Sequence, residues 1–457
     1  MEGGRVAECS VTYGVAGPEE NTLLFYPFAY ALLDAEIANC CWTCLREAGD
    51  ELKRCSGCKV AVFCARACQT RGWADHKAEC KGFKAAADGT VFLPDVEVRL
   101  LGRICSRHKC IEEGKDTAAD FYEDRRSERH VMELVSHADE MRADERAFAK
   151  FERVYAELVR FYRRKSLPDK ETVFELHCRS WINRHAISDR LYLREIAKGL
   201  YLDLCAYDHS CRPNAIFTCD GLVATLRPLQ AGVDISDRNT VFYSYIDLLH
   251  SKQHRRQMLR GSWFFDCRCE RCCDPDDDIL SSCLCPTCSS PVYIYGANAD
   301  KDMDSLKIRC TACKEECPRE RVTEAIGAMR AADRLLDHDA EPSSAQLSSL
   351  LDGLSFCLPR VNVFYARTLQ ALMRTLDTAE DSRRLLLYHE RALPCLEAVY
   401  PANHPTVALH YKNMALLGVD DTPRRQHCLQ MAADRFRASL GAEHPLTRDT
   451  VRQLVDK

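Results

Sequence analysis

The chain has 457 residues, of which 46% are hydrophobic and 29% charged, enough for two to four domains and more than one core. A formal net charge of -5 excludes a globally basic nucleic-acid coat but leaves room for local basic patches. The first ten residues lack the apolar core of a secretory signal, so the 28 cysteines argue for metal thiolates in a reducing compartment rather than disulfides.

The first elements are short strands. The longest apolar run, Leu23 to Leu33, is broken by Pro27 and too short to span a bilayer. Leu23 to Tyr26 and Tyr30 to Leu33 read as strands on either side of that proline. A dense cluster follows: Cys41-x2-Cys44, Cys55-x2-Cys58, Cys64-x3-Cys68 and His76-x3-Cys80. Four close pairs suit two tetrahedral zinc ions with two pairs each. If the pairs interleave, one ion takes Cys41, Cys44, Cys64 and Cys68, and the other takes Cys55, Cys58, His76 and Cys80. So small a unit cannot build much core, and the metals would supply its folding energy.

Glu112 to Arg129 is charge-rich and reads as a solvated helix and loop. Phe148, Phe151, Val154, Tyr155, Leu158, Val159 and Tyr162 then recur at helical spacing, predicting a packed helix over 145–163. Short β-type runs return at Ala215 to Thr218, Leu222 to Leu226 and Thr240 to Tyr245, punctuated by Gly221, Pro228 and Gly232. Cys267, Cys269 and Cys272 supply three thiolates, one short of a closed structural site. Cys285-Pro-Thr-Cys288 and Cys310-Thr-Ala-Cys313 are two knuckles at zinc-ribbon spacing and predict another zinc, with Cys283 and Cys317 close by. The last third is helical, with Val322, Ala325, Ile326, Met329, Ala332, Leu335 and Leu336 on one stripe. The pairs His404-Pro405 and His444-Pro445 mark a weak repeat, suggesting stacked helical hairpins like tetratricopeptide repeats.

Several of these strings carry a resemblance. Cys55-Ser-Gly-Cys-Lys-Val-Ala-Val-Phe-Cys64 and Trp73-Ala-Asp-His-Lys-Ala-Glu-Cys80 resemble a MYND zinc finger. Tyr207-Asp-His-Ser-Cys-Arg-Pro-Asn214 resembles the Asn-His-Ser-Cys-x-Pro-Asn motif of SET-domain lysine methyltransferases, and Thr240 to Leu249 resembles their catalytic tyrosine segment. Phe264-Phe-Asp-Cys-Arg-Cys-Glu-Arg-Cys272 resembles the post-SET segment. A SET domain interrupted by a MYND finger and followed by helical repeats is the arrangement of the SMYD family, and the resemblance covers nearly the whole chain.

The resemblance implies an α+β multidomain protein. Its parts would be a β-rich SET domain over 1–250, split by the MYND finger at 41–80, a post-SET zinc segment at 260–275, a candidate zinc ribbon at 283–317 and a TPR-like helical domain at 318–457. Cys211 would complete the post-SET zinc with Cys267, Cys269 and Cys272. S-adenosyl-L-methionine would be the methyl donor, contacted by Asn183, Asp208, His209 and Tyr245, with Tyr245 also catalytic. Three features depart from the family pattern. The Gly-x-Gly-Leu cofactor loop survives only as Tyr13-Gly14-Val-Ala-Gly17, the turn Gly232 to Asn239 is lengthened, and Trp263 stands where a second tyrosine is usual.

The implied function is protein-lysine N-methylation of histone or non-histone substrates by a monomer in cytoplasm and nucleus, away from membranes. The MYND finger would take proline-rich partners. Lys53, Arg54, Lys59, Arg66, Arg71, Lys77 and Lys81 give it a basic face suited to an acidic partner or a weak nucleic-acid contact. The competing expectation, raised by the three departures, is a catalytically weak or inactive zinc scaffold that recruits proline-rich partners in transcriptional regulation.

Overall fold

The computed structural model describes residues 15–16, 21–47, 51–84, 92–115, 127, 129–162, 167–191, 194–294, 308–337, 341–418 and 422–455. The chain is a mixed helix-and-strand, multidomain α+β protein. It divides into two compact units: residues 1–208, 217–228 and 232–241 form the first, and residues 209–216, 229–231 and 242–457 the second. Gly14 and Gly17 of the glycine loop, and residues 116–126 of the charge-rich stretch, lie outside the described residues. Among the described residues no helix is long and apolar enough to cross a membrane.

The first unit is built on two small sheets. One has the strand order Val15–Ala16, Leu23–Phe25, Val223–Pro228, Ala215–Asp220, with Leu24 opposite Thr225. The other is antiparallel: Ala29–Leu32, Glu195–Leu200, Arg184–Ser188. Helix Val96–Glu112 packs on strand Ala29–Leu32 through three arginines spaced four residues apart. Arg99 Nη2 donates to the Leu32 carbonyl at 2.7 Å, Arg103 Nη1 to that of Tyr30 at 2.9 Å, and Arg107 Nη1 to that of Phe28. Four helical residues rise about 6 Å and two strand residues about 6.7 Å, so an i,i+4 ladder on a helix matches every second carbonyl of a strand. No sequence pattern marks this ladder, because three arginines at helical spacing look like a solvated face.

The apolar stripe at 145–163 is the helix Glu145–Tyr162, which buries Phe151, Val154, Leu158 and Tyr162. Phe151 meets the Phe174 ring of helix Lys170–Asn183 edge-on at 4.8 Å. The MYND segment carries a strand pair, Lys53–Arg54 with Val62–Phe63, and helices Arg66–Arg71 and Trp73–Lys84. Gly221, at φ +61°, closes the turn between two strands against the finger. A Cβ there would stand 2.7 Å from the Cys44 carbonyl, so only glycine fits.

In the second unit, helix Lys252–Trp263 is followed by the short helix Glu270–Cys273, the strand pair Cys283–Leu284 and Pro291–Val292, and a helical array. The array consists of Arg319–Leu336, Ser344–Cys357, Val363–Arg374, Ser382–Val399, Pro405–Leu417, Thr422–Leu440 and Pro445–Val455, each packed on the next. The recurring His-Pro pair has a physical role. His404 Nδ1 accepts the Thr406 N–H and His444 Nδ1 the Leu446 N–H, each ahead of a helix that begins on proline. The histidine caps an orphan donor and the proline occupies a position needing none.

Candidate zinc centres and active site

Four groups of side chains converge as candidate zinc centres. Each set lies with its ligand atoms within 4.8 Å of one another: Cys41, Cys44, Cys64 and Cys68; Cys55, Cys58, His76 and Cys80; Cys211, Cys267, Cys269 and Cys272; Cys285, Cys288, Cys310 and Cys313. Around a tetrahedral zinc with Zn–S bonds of about 2.3 Å and Zn–N of about 2.05 Å, S···S edges are about 3.8 Å and S···N edges about 3.5 Å. The sulfurs of Cys44 and Cys64 are 3.6 Å apart, those of Cys55 and Cys80 3.9 Å, and Cys58 Sγ is 3.5 Å from His76 Nε2. Cys211 and Cys272 stand at 3.6 Å, as do Cys285 and Cys313, and Cys288 and Cys310. All are far beyond a disulfide bond of about 2.0 Å. In the finger the pairs interleave.

The backbone around the knuckles fits metal as well. After four of the Cys-x2-Cys pairs, Cys41/Cys44, Cys55/Cys58, Cys285/Cys288 and Cys310/Cys313, the next residue is left-handed though it is not glycine: Leu45, Lys59, Ser289 and Lys314, with φ between 58° and 66°. Each donates its N–H to the carbonyl of the first cysteine, at 2.9 Å in three cases and 3.0 Å for Lys314 to Cys310. Such a backbone costs about 1–2 kcal/mol per residue, small beside the binding energy of a structural zinc.

Second contacts orient the ligands. His76 is ringed edge-on by Trp42, Phe63 and Trp73, and its Nδ1 faces Glu79 Oε2 at 3.6 Å. Glu79 is fully buried and accepts from Arg103 Nε at 2.7 Å and Nη2 at 2.9 Å. Burial pushes the Glu79 carboxyl up, but the Arg103 guanidinium with its two hydrogen bonds and the neighbouring His76 ring outweigh it and hold its pKa at about 2. Glu79 thus orients a zinc ligand, a role that escaped the sequence reading although it lies three residues past His76. At the Cys211 centre, buried Arg255 and Arg271 both bind Asp277, at 2.7 Å each, and leave one net positive charge beside four thiolates. Cys273 is exposed and outside the cluster, whereas Cys283, its pKa pushed up to about 12 by burial, and Cys317 lie buried beside the last centre rather than in it.

A further set, His108, Glu112 and His130, also lies within 4.8 Å. One of its two rings is already occupied. His130 Nδ1 accepts the Met132 N–H at 3.3 Å, which leaves the hydrogen on Nε2, 3.3 Å from Glu112 Oε1. No lone pair on that ring remains for a metal.

The residues expected to serve methyl transfer divide between the units. In the first, Asn183 ends helix Lys170–Asn183, and its amide donates to the Val135 carbonyl at 2.9 Å and the Arg179 carbonyl at 2.8 Å. Asp208 is exposed. The lengthened turn after Gly232 is held by Asp234, which accepts from Ser236 N–H at 3.0 Å, and by Asp237, which accepts from Asn239 N–H at 3.1 Å.

In the second unit His209 is buried and uses both ring nitrogens. Nδ1 accepts the Tyr245 N–H at 3.0 Å, and Nε2 lies 3.2 Å from Cys211 Sγ. Burial lowers its pKa to about 4, and the neutral ring with hydrogen on Nε2 satisfies both contacts. The half-buried Tyr245 ring stands 5.2 Å from Tyr243, 5.2 Å from His209 and 5.7 Å from Trp263. Phe264, left-handed at φ 58°, ends helix Lys252–Trp263 and lets Phe265 reach the His209 ring at 6.2 Å. An aromatic wall that carries the Tyr245 hydroxyl attracts cations and excludes water.

The family description "MYND finger" matches residues 41–80. The chain is 25% identical to human "Histone-lysine N-methyltransferase SMYD3" over 93% of its own length and 89% of that protein. It is 26% identical to zebrafish (Danio rerio) "N-lysine methyltransferase SMYD2-B" over 91% of its length and 86% of the relative. To bovine (Bos taurus) "N-lysine methyltransferase SMYD2" it is 32% identical over 55% of its length and 54% of that protein.

Proposed function

We propose that this chain, which belongs to the SMYD family, is an S-adenosylmethionine-dependent protein-lysine N-methyltransferase. The observation that carries the reading is the Tyr245 ring, set among Tyr243, His209 and Trp263 and tied through His209 to a zinc thiolate. When bound, the cofactor supplies an electrophilic methyl on a sulfonium. The aromatic wall fits that cation, and Asn183, Asp208, His209 and Tyr245 are the residues we assign to hold it. A lysine side chain with pKa of about 10.4 must lose its proton before it can accept a methyl group. Exclusion of water and the positive charge of the bound sulfonium disfavour the ammonium, and the Tyr245 hydroxyl accepts an amine hydrogen and aims the lone pair.

The substrate is a protein lysine, of histone or non-histone origin. The MYND finger is the protein-interaction module, and we assign it proline-rich partners. The basic side chains Lys53, Arg54, Lys59, Arg66, Arg71, Lys77 and Lys81 are all exposed and leave it open to acidic partners as well. We further assign a monomer working in cytoplasm and nucleus. Incubating the full chain with methyl-labelled S-adenosylmethionine and cell extract tests the activity. Label on lysine is the expected result; cofactor binding without labelled lysine, or no cofactor binding, would overturn it in favour of a scaffold.

A further inference from the structure

Arg271 sits between two zinc ligands, Cys269 and Cys272, and is buried to 2% exposure. A guanidinium in that place is costly unless its hydrogens are used, and a leucine or methionine would fill the space more cheaply. Its Nε donates to Asp277 Oδ1 at 2.7 Å. Its Nη1 faces three carbonyls from three separate segments: Cys211 at 3.2 Å, Leu248 at 3.3 Å and Val399 at 3.3 Å. Cys211 belongs to the zinc centre, Leu248 follows Tyr245 by three residues, and Val399 is the last residue of helix Ser382–Val399. Two hydrogens serve three acceptors, so all three segments must converge at one point for the bonds to form. The helix end adds its own attraction, since the final carbonyls lack intrahelical partners and carry the negative end of the dipole.

A second bond joins the same two regions. The Tyr400 hydroxyl donates to Asp247 Oδ1 at 2.6 Å, one residue before Leu248. Tyr245 is therefore fixed on its N-terminal side by His209 and beyond its C-terminal side by contacts to the end of one helix of the array.

We propose that Arg271 is a positioning residue, which sets the Tyr245 segment through Leu248 and makes its position depend on the helical array through Val399. This rests on the methyltransferase reading. Its consequence is that whatever shifts helix Ser382–Val399 shifts the tyrosine that orients the amine.

The test uses the full chain. Arg271→Lys keeps charge and volume but cannot reach three carbonyls and Asp277 together. It should retain thiolate-bound zinc and cofactor affinity, lower kcat at least tenfold and leave the peptide KM within about twofold. Tyr400→Phe, which removes one hydroxyl away from the zinc, should lower kcat about threefold. The double variant should fall short of the product of the two effects, because both act through residues 245–248. Trp263, whose ring lies 5.7 Å from Tyr245, gives a reading independent of turnover: its emission should shift in both variants. Loss of zinc with Arg271→Lys, together with wild-type kcat for Tyr400→Phe, would reduce Arg271 to a structural role and overturn the proposal. So would multiplicative effects, or unchanged Trp263 emission in both variants. A wild-type chain that transfers no methyl group defeats the underlying reading instead, and the emission shifts still decide this one.

Discussion

The finger at 41–80 and the centre built on Cys211 are both candidate zinc sites, yet they do different work. The finger draws all eight ligands from one short stretch, through knuckles closed by the left-handed Leu45 and Lys59. The Cys211 centre brings one ligand to three others more than fifty residues later, has no left-handed knuckle residue, and stands beside a buried pair of arginines. In the finger the metal replaces a core. In the second centre the Cys211 sulfur meets His209, and His209 accepts the Tyr245 N–H, so a zinc held there would fix the ring that holds the tyrosine. A local zinc site builds a fold, and a non-local one builds a geometry for something else to use.

Removing metal separates the two most strongly. A structural zinc contributes on the order of 10 kcal/mol to a unit that cannot fold without it, so a strong chelator should open 41–80 to proteolysis. An organomercurial should release four thiolate-bound zinc ions per intact chain; three or fewer would break the assignment. Next in size is Asp277→Ala, which strips the shared anion from Arg255 and Arg271. Breaking a buried pair from one side costs about 3–5 kcal/mol, and urea unfolding of the second unit should register it. A loss under about 1 kcal/mol would mean that the thiolates alone compensate the arginines.

The sequence disclosed these regions unequally, for reasons of distance. Ligand pairs three or four residues apart announce themselves, and the helical stripe at 145–163 did the same through its period. Cys211 was reachable only by noticing that Cys267, Cys269 and Cys272 lacked a fourth thiolate, and then only through resemblance. The arginine ladder Arg99, Arg103 and Arg107, the carboxylate of Glu79 and the three-carbonyl contact of Arg271 carried no signal. Their partners are backbone carbonyls or distant residues, and a charged residue read alone looks solvated. The resemblance implies His209 as a cofactor contact; that its side chain bridges Cys211 and Tyr245 is visible only in the structure.

Two histidines sharpen the comparison. His76→Ala removes a ligand and should release one zinc from the finger, read by elemental analysis. His209→Ala removes a bridge and should keep all thiolate-bound zinc while methyl transfer falls about a hundredfold, equivalent to about 2.7 kcal/mol of barrier. If His209→Ala instead lost zinc and kept activity, the division between ligand and bridge would be reversed.

The smallest change tests the end of the chain of contacts. Tyr245→Phe removes one hydroxyl and should lower methyl transfer at least tenfold, about 1.4 kcal/mol, with cofactor affinity and zinc content nearly unchanged. The ring stays among Tyr243, His209 and Trp263, because those contacts involve its faces and edges and its backbone N–H still reaches His209 Nδ1. Trp263 offers no replacement: its indole N–H donates but cannot accept an amine hydrogen. Tyr243 is buried at 3% exposure, so its hydroxyl is not presented as the half-buried Tyr245 is. Equal turnover by wild type and Tyr245→Phe would therefore separate the zinc-to-tyrosine contacts from catalysis. The Cys211 centre would then be, like the finger, a device for folding alone.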